Sequence, residues 1–195
     1  MKKLLLPICL LLAGVVTSNA QGVSIGLRAG VNFANVQVSS SSGYSPSSIT
    51  SFVAGGYAKI MLSGKIGIQP ELLYNAVGAK ASDPTLGTIT NKMNYLSVPV
   101  FFRFNVVSKL HLLAGPQFGI LLSAKSTNNT GTYDIKDQIN SSDFGGVVGA
   151  GVDFGPFNAG LRYNFGFSNI SKDPFAGTTK NTVFQIVAGF KLFGK

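Results

Sequence analysis

Apolar and polar residues alternate along much of this chain. In the segment 157–168, every second residue is apolar, and the residues between them are polar or glycine. A period of two is the pattern of a β-strand with one apolar and one polar face. The same alternation recurs in eight segments, near 23–34, 51–62, 66–77, 93–104, 110–123, 143–154, 157–168 and 181–193. The sequence therefore predicts an all-β protein whose even number of strands can close into an antiparallel barrel.

The composition of the polar face indicates which side of the barrel meets water. A soluble eight-stranded barrel of the lipocalin kind is the alternative, and it would bury the apolar face and expose the polar one. Here the polar face consists mostly of Gly, Ser, Asn and Gln, and charged residues make up only 12% of the chain. A water-exposed surface should be rich in Lys and Glu. We therefore expect an eight-stranded antiparallel up-and-down transmembrane β-barrel with its polar face inside.

Long and short connections alternate between the predicted strands. The long connections are 35–50, 78–90, 125–142 and 169–180, and the short ones are 63–65, 105–109 and 155–156. Outer-membrane barrels keep short turns on the periplasmic side and long loops outside. The alternation predicts an outer-membrane protein of a Gram-negative bacterium with both termini in the periplasm.

Three prolines fall inside predicted strands, namely Pro70, Pro99 and Pro116. Each removes a hydrogen bond from the ladder, so we expect β-bulges at these positions.

The first twenty residues predict a cleaved signal peptide. Lys2 and Lys3 precede an apolar run at 4–16 that is shorter than the roughly 20 residues of a spanning helix. Ser18 and Ala20 suit cleavage before position 21. We expect residues 21–195 to form one barrel domain, and a retained anchor helix is the alternative. The single cysteine lies in the signal segment, so the mature chain should have no thiol chemistry.

Several segments resemble the PorT-like outer-membrane β-barrel family of Bacteroidota. They are Gln69–Tyr74 (QPELLY), Tyr95–Val100 (YLSVPV) followed by Arg103, Gly115-Pro116, and Gly160–Tyr163 (GLRY). The resemblance covers essentially all of the mature chain, and all three prolines lie within these motifs. It implies a small outer-membrane barrel, mostly of unassigned role, with some relatives linked to protein secretion and gliding. It does not imply that secretion role for this chain.

A few charged residues are predicted to point into the barrel. Arg28, Glu71 and Arg162 lie at similar heights on their strands, so Glu71 should be the shared counter-ion of the two arginines. Buried charge is costly unless it is paired. We assign Arg103, which also faces inward, to the same interior polar cluster. The cluster predicts a polar plug with a structural role.

Other reactive residues give weaker signals. His111 is the only histidine, and three of its nearest neighbours are leucines, so we interpret it as a bystander and expect no catalytic residue. Asp134 and Asp137 offer too few oxygens for calcium, so neither a metal nor a cofactor is expected.

The net charge of +9 does not indicate nucleic acid, because the lysines are scattered. Outer-membrane lipid and anionic lipopolysaccharide are better partners for loop lysines such as Lys80, Lys92, Lys125 and Lys180. The barrel-insertion machinery is expected to bind during biogenesis, and a protein partner could bind the extracellular loops.

The leading functional prediction is a small structural or interaction barrel with a plugged interior, without enzymatic activity. A narrow porin-like channel for small solutes and an outer-membrane lipid-modifying enzyme are the alternatives.

Overall fold

The computed structural model describes residues 22–38, 46–83, 87–173 and 177–194. Within these ranges the chain forms nine β-strands, namely β1 Val23–Val38, β2 Ser47–Met61, β3 Ile66–Asp83, β4 Gly87–Asn105, β5 Leu110–Asn128, β6 Gly131–Asp134, β7 Ser142–Phe154, β8 Phe157–Gly166 and β9 Thr179–Gly194. A short 3-10 helix, Lys136–Gln138, follows β6. Among the described residues, no helix is long and apolar enough to cross a membrane. The predicted signal peptide lies outside the described residues.

Eight of these strands close into a ring. Each pairs antiparallel with its neighbours, and β1 closes the ring by pairing with β9 from Ser24–Gly194 to Val38–Thr179. The short β6 is an addition to β5, so β5 pairs with β7 in the ring. The predicted eight-stranded antiparallel up-and-down barrel is confirmed.

Alternate residues point to opposite sides of the wall. Leu161 is 51% exposed on the outside, whereas its neighbour Arg162 is buried inside. Large apolar side chains stay exposed along the outer wall because lipid solvates them.

The strands extend further than the sequence pattern predicts. The expected long loop at 78–90 is mostly an extended hairpin, because β3 and β4 remain paired as far as Asp83 and Gly87. Much of the expected loop at 125–142 is also ordered, since β5 continues to Asn128 and pairs with β6. Outside the membrane both faces of a hairpin can carry polar residues, so the alternation fades while the backbone pairing continues.

The prediction of β-bulges at the three prolines is wrong. The register shifts lie elsewhere, near Ile25, near Ser48 and near Asn94. Each proline keeps a paired partner on one neighbouring strand. On its other side the ladder is interrupted, but the register does not change. A proline lacks one N–H, so leaving out the pairing on the side where that N–H would point is sufficient.

The sequence predicted a polar interior, but only part of the interior is polar. Its long-loop end is filled by an apolar cluster made of Ala34, Val36, Ile49, Val77, Ala79, Met93, Tyr95, Leu121, Ala124, Ile170 and Val183. Ile170 comes from the connection between β8 and β9 and is only 1% exposed. Most buried polar residues lie in the remaining part of the barrel, nearer the short turns, whereas the buried Asn181 pairs with Val36 of the apolar cluster.

Aromatic side chains contact one another on the outer wall. Phe52 stacks on Tyr74 with ring centroids 5.6 Å apart, nine to ten residues from the short turns. Phe157 and Phe190 are 5.1 Å apart near the opposite end of the barrel. The two pairs therefore lie at two levels of the outer wall, as aromatic residues do in outer-membrane barrels.

Candidate functional site

Three charged side chains meet in the middle of the barrel. Arg162 donates two hydrogen bonds to Glu71, from Nη1 to Oε2 at 2.8 Å and from Nη2 to Oε1 at 2.7 Å. Nε of Arg28 lies 3.1 Å from Oε1 of the same carboxylate. All three side chains are buried. The structure thus brings Arg28, Glu71 and Arg162 together, with one carboxylate between two guanidinium groups.

Aromatic rings support both guanidinium groups of this triad. The guanidinium carbon of Arg28 lies 4.7 Å from the centre of the Tyr57 ring, and that of Arg162 lies 4.7 Å from the centre of Phe101. Such contacts stabilise a cation, and more so where water is excluded. Sequence reasoning missed Phe101, although its position on the polar face of β4 was the available signal.

Arg103 belongs to a second ion pair, closer to the short turns. Its Nη2 donates to Asp153 Oδ2, and its Nη1 donates to Gln69 Oε1 at 3.1 Å. Gln69 in turn donates to Glu71 Oε1 at 2.7 Å. Arg103 is therefore linked to the triad through Gln69, and its own acid is Asp153, which the sequence analysis did not assign to the cluster.

His111 lies beside this second ion pair. Its Nδ1 is 3.8 Å from Asp153 Oδ1 and has no hydrogen-bond partner among the described residues.

Amide side chains continue the polar interior toward the long loops. Asn32 donates to Asn75 Oδ1 at 2.8 Å and to the Ala76 carbonyl at 2.7 Å, and Gln185 donates to Asn32 Oδ1 at 2.9 Å. The triad, the Arg103–Asp153 ion pair and these amides form one polar column along the barrel. Because its members bond to each other across several strands, the column ties opposite walls together.

Glycines on the inner wall make room for the polar column. A Cβ atom at Gly149 would lie 3.0 Å from Cγ of Arg162, and one at Gly151 would lie 2.6 Å from Nε2 of His111. The abundance of glycine on the polar face is therefore a packing requirement of the large side chains opposite.

Gly151→Val should destabilise the folded barrel by about 1–3 kcal/mol, because the added side chain overpacks a filled interior. The free energy of unfolding in urea, measured on protein refolded into lipid vesicles, tests this. Gly64→Val is the matched control, since a Cβ atom at Gly64 would meet nothing within 4 Å. Equal stability of the two variants would show that the interior is not packed as described.

A small cavity remains beside the polar column. Its volume is about 20 Å³, enough for about one water molecule, and its lining includes Asp143, Asn164 and Asn181. Both amide atoms of Asn164 and Oδ1 of Asn181 are buried without a hydrogen-bond partner in the described chain. Asp143 accepts hydrogen bonds from Ser168 and Asn181, at 2.7 and 2.8 Å.

The remaining candidate residues lie at the long-loop end. Asp134 ends β6 and Asp137 lies in the 3-10 helix. Across the described ranges, no group of three or more His, Cys, Asp or Glu side chains could hold a metal ion. Lys80, Lys92, Lys125 and Lys180 were expected in loops, but the structure places them on β3, β4, β5 and β9. The physical reason is again that strand pairing continues beyond the apolar pattern.

A closed ring of eight strands, apolar outside and largely polar inside, defines an outer-membrane β-barrel. The chain belongs to the family described as outer membrane protein beta-barrel domain, which matches residues 18–172. The expected location in the outer membrane agrees with this family.

Solved structures of outer-membrane proteins are similar to this chain at low sequence identity. Neisserial surface protein A is 14% identical, with 88% of this chain and 100% of that chain covered and a TM-score of 0.56. The attachment invasion locus protein Ail of Yersinia pestis is 18% identical, with coverages of 88% and 99% and a TM-score of 0.48. OprG of Pseudomonas aeruginosa is 12% identical, with coverages of 88% and 94% and a TM-score of 0.45. Among curated proteins, none matches this chain.

Proposed function

We propose that this protein is a closed outer-membrane barrel with a structural or interaction role, and that it presents its long-loop end to a partner outside the cell. The observation that carries this proposal is the filled interior. The polar column blocks the middle of the barrel, and the apolar cluster around Ile170 closes the end. The cavity beside the polar column has a volume of about 20 Å³, enough for about one water molecule.

The connections over the apolar cluster support a binding role, because backbone hydrogen bonds hold them in place. The amide of Asn140 donates to the Ile170 carbonyl, and the amide of Ile170 donates to the Thr179 carbonyl, both at 2.8 Å. The Lys172 amide also donates to the Gln138 carbonyl at 3.0 Å. A surface that is ordered before binding loses little conformational entropy when a partner docks.

The orientation and processing of the chain belong to the same proposal. Residues 1–20 act as a signal peptide, and residues 21–195 form the barrel domain that the insertion machinery places in the membrane. The three short turns then face the periplasm, as do both termini. The QPELLY, YLSVPV and GLRY motifs support membership of the PorT-like group of Bacteroidota.

Purified protein in a planar lipid bilayer should show no steady conductance, because side chains fill the barrel. A general porin, reconstituted in the same way, is the positive control for insertion and detection. A large, steady conductance would contradict the proposal and favour a narrow solute channel. Lipid turnover that is lost in His111→Ala would contradict it in another way, since no catalytic step is assigned to this barrel.

A further inference from the structure

The outer wall changes from apolar to basic over a short distance on strands β3, β4 and β5. Tyr74, Leu96 and Ile120 are paired across these strands and form an outward row of large apolar residues. The next outward row contains Asn94 and Ser123, which are joined by a hydrogen bond of 2.8 Å. The membrane-facing wall therefore ends near this second row, where the exposed Leu122 is the last large apolar side chain on the outside of β5.

Lysines occupy the following outward rows. Lys92 on β4 pairs directly with Lys125 on β5, and Lys80 on β3 pairs with Thr90, the residue two positions before Lys92 on β4. All three lysines are exposed, whereas Ala79, Met93 and Ala124 beside them in sequence are buried inside. The lysine side chains must therefore point away from the barrel, toward the surrounding lipid leaflet.

Lys92 and Lys125 lie at about the level expected for lipid headgroups. Lys92 lies four residues beyond Leu96, which at 3.3 Å per residue and a strand tilt near 40° is about 10 Å above the last apolar row. A fourth lysine is close, since Lys136 Nζ donates to the carbonyl of Leu122 at 2.9 Å. Leu122 is the extra residue of β5 at the register shift near Asn94.

The paired lysines form no ion pair among the side chains that the structure describes. Like charges directly opposite each other on neighbouring strands are destabilising. Asp134 stands opposite Lys125 on β6, but its Oδ1 accepts the backbone N–H of Lys136 at 2.8 Å. An external anion would remove the repulsion.

We propose that Lys80, Lys92 and Lys125 form a binding site for the phosphate groups of lipopolysaccharide, on the outside of the barrel wall. The lipid A portion of that molecule carries its phosphates at the headgroup level of the outer leaflet, which is the level inferred for Lys92 and its partner Lys125, and Lys80 lies one outward row beyond them. This site rests on the proposed orientation, with the long-loop end at the cell surface. A lipid bound there would be held against strands β3, β4 and β5, next to the long-loop end that is proposed to bind a partner.

Folded full-length mature protein in a zwitterionic detergent, titrated with bisphosphorylated lipid A and followed by native mass spectrometry, tests the site. Each lysine near an anionic lipid surface contributes about fivefold in affinity, so the triple variant K80Q/K92Q/K125Q should bind roughly 100-fold more weakly. The matched control is K65Q/K109Q/K191Q, which removes three lysines near the short turns and should bind as the wild type does.

Two results would overturn the proposal. One is equal lipid A affinity of the two triple variants, and the other is wild-type affinity for phosphatidylglycerol equal to that for lipid A. The variant Thr132→Cys, in the β5–β6 hairpin, reports the orientation separately when intact cells are treated with a membrane-impermeant maleimide. Strong labelling without lipid A binding would reject the lipid site alone, whereas absent labelling of a folded barrel would reject the orientation.

Discussion

Glu71→Ala is expected to destabilise the folded barrel by about 3–5 kcal/mol, because two guanidinium groups would then be buried without their carboxylate. Glu71 receives both hydrogen bonds of Arg162, the ion pair with Arg28 and a hydrogen bond from Gln69. No other acid in the described part of the chain pairs with either of the two arginines. Reversible urea unfolding in lipid vesicles measures the loss, and heating on a gel gives an independent check on folding.

Two further variants test whether the loss of stability comes from unpaired buried charge. Asp134→Ala also removes a carboxylate, but from the exposed β5–β6 hairpin, and it should change stability by less than about 0.5 kcal/mol. The triple replacement of Arg28, Glu71 and Arg162 by methionine should recover much of the loss, because a buried ion pair can often be replaced by apolar residues. If Glu71→Ala and Asp134→Ala unfold alike, the buried triad does not stabilise the barrel.

Counting residues from the short turns was enough to place Arg28, Glu71 and Arg162 at one height. In an antiparallel barrel with tight turns, strands begin near a common level, so sequence distance from the turn approximates depth. Side-chain direction follows from parity, and an error of one residue would have moved all three to the lipid face. The sequence therefore indicated both the depth and the inward direction of the three side chains.

The partner of Arg103 could not be obtained in this way. Asp153 lies on β7, near the short turn that leads into β8. Its contact with Arg103 passes over one intervening strand, because β5 lies between β4 and β7 in the ring. The contact depends on the stagger of two successive pairings, β4 with β5 and β5 with β7, and residue type alone does not fix either register. Phe101 was missed for a different reason. The inward face was expected to be polar, and an inward phenylalanine departs from that pattern.

The apolar cluster at the long-loop end was missed for another reason. Ile170 fills the barrel only because residues 167–173 of the connection between β8 and β9 fold back over the opening, where backbone hydrogen bonds join Ile170 to Asn140 and Thr179. Ile135 and Ile139, from the connection between β6 and β7, pack on the same cluster. Non-local loop contacts of this kind have no period in the sequence. The barrel wall was predictable from local alternation, whereas its closure depended on tertiary packing.

Leu161→Arg is expected to destabilise insertion of the barrel by about 2–4 kcal/mol, the cost of a lipid-facing arginine near the midplane. Leu161 is 51% exposed on the outer wall, between Ala150 on β7 and Ile186 on β9. These neighbours offer no polar group to the guanidinium. Folding yield into vesicles and the free energy of unfolding in urea give the measurement.

Asn164→Ser, three residues further along the same strand, is the matched control for the lipid-facing substitution. Asn164 points inward, and neither of its amide atoms has a hydrogen-bond partner within the described chain, so the shorter hydroxyl should lose little. Its expected effect is below about 0.5 kcal/mol. A Leu161→Arg barrel as stable as the Asn164→Ser barrel would mean that water, and not lipid, surrounds the outer wall. The assignment of the two faces, on which the buried ion pairs and the external lysines both depend, would then have to be reversed.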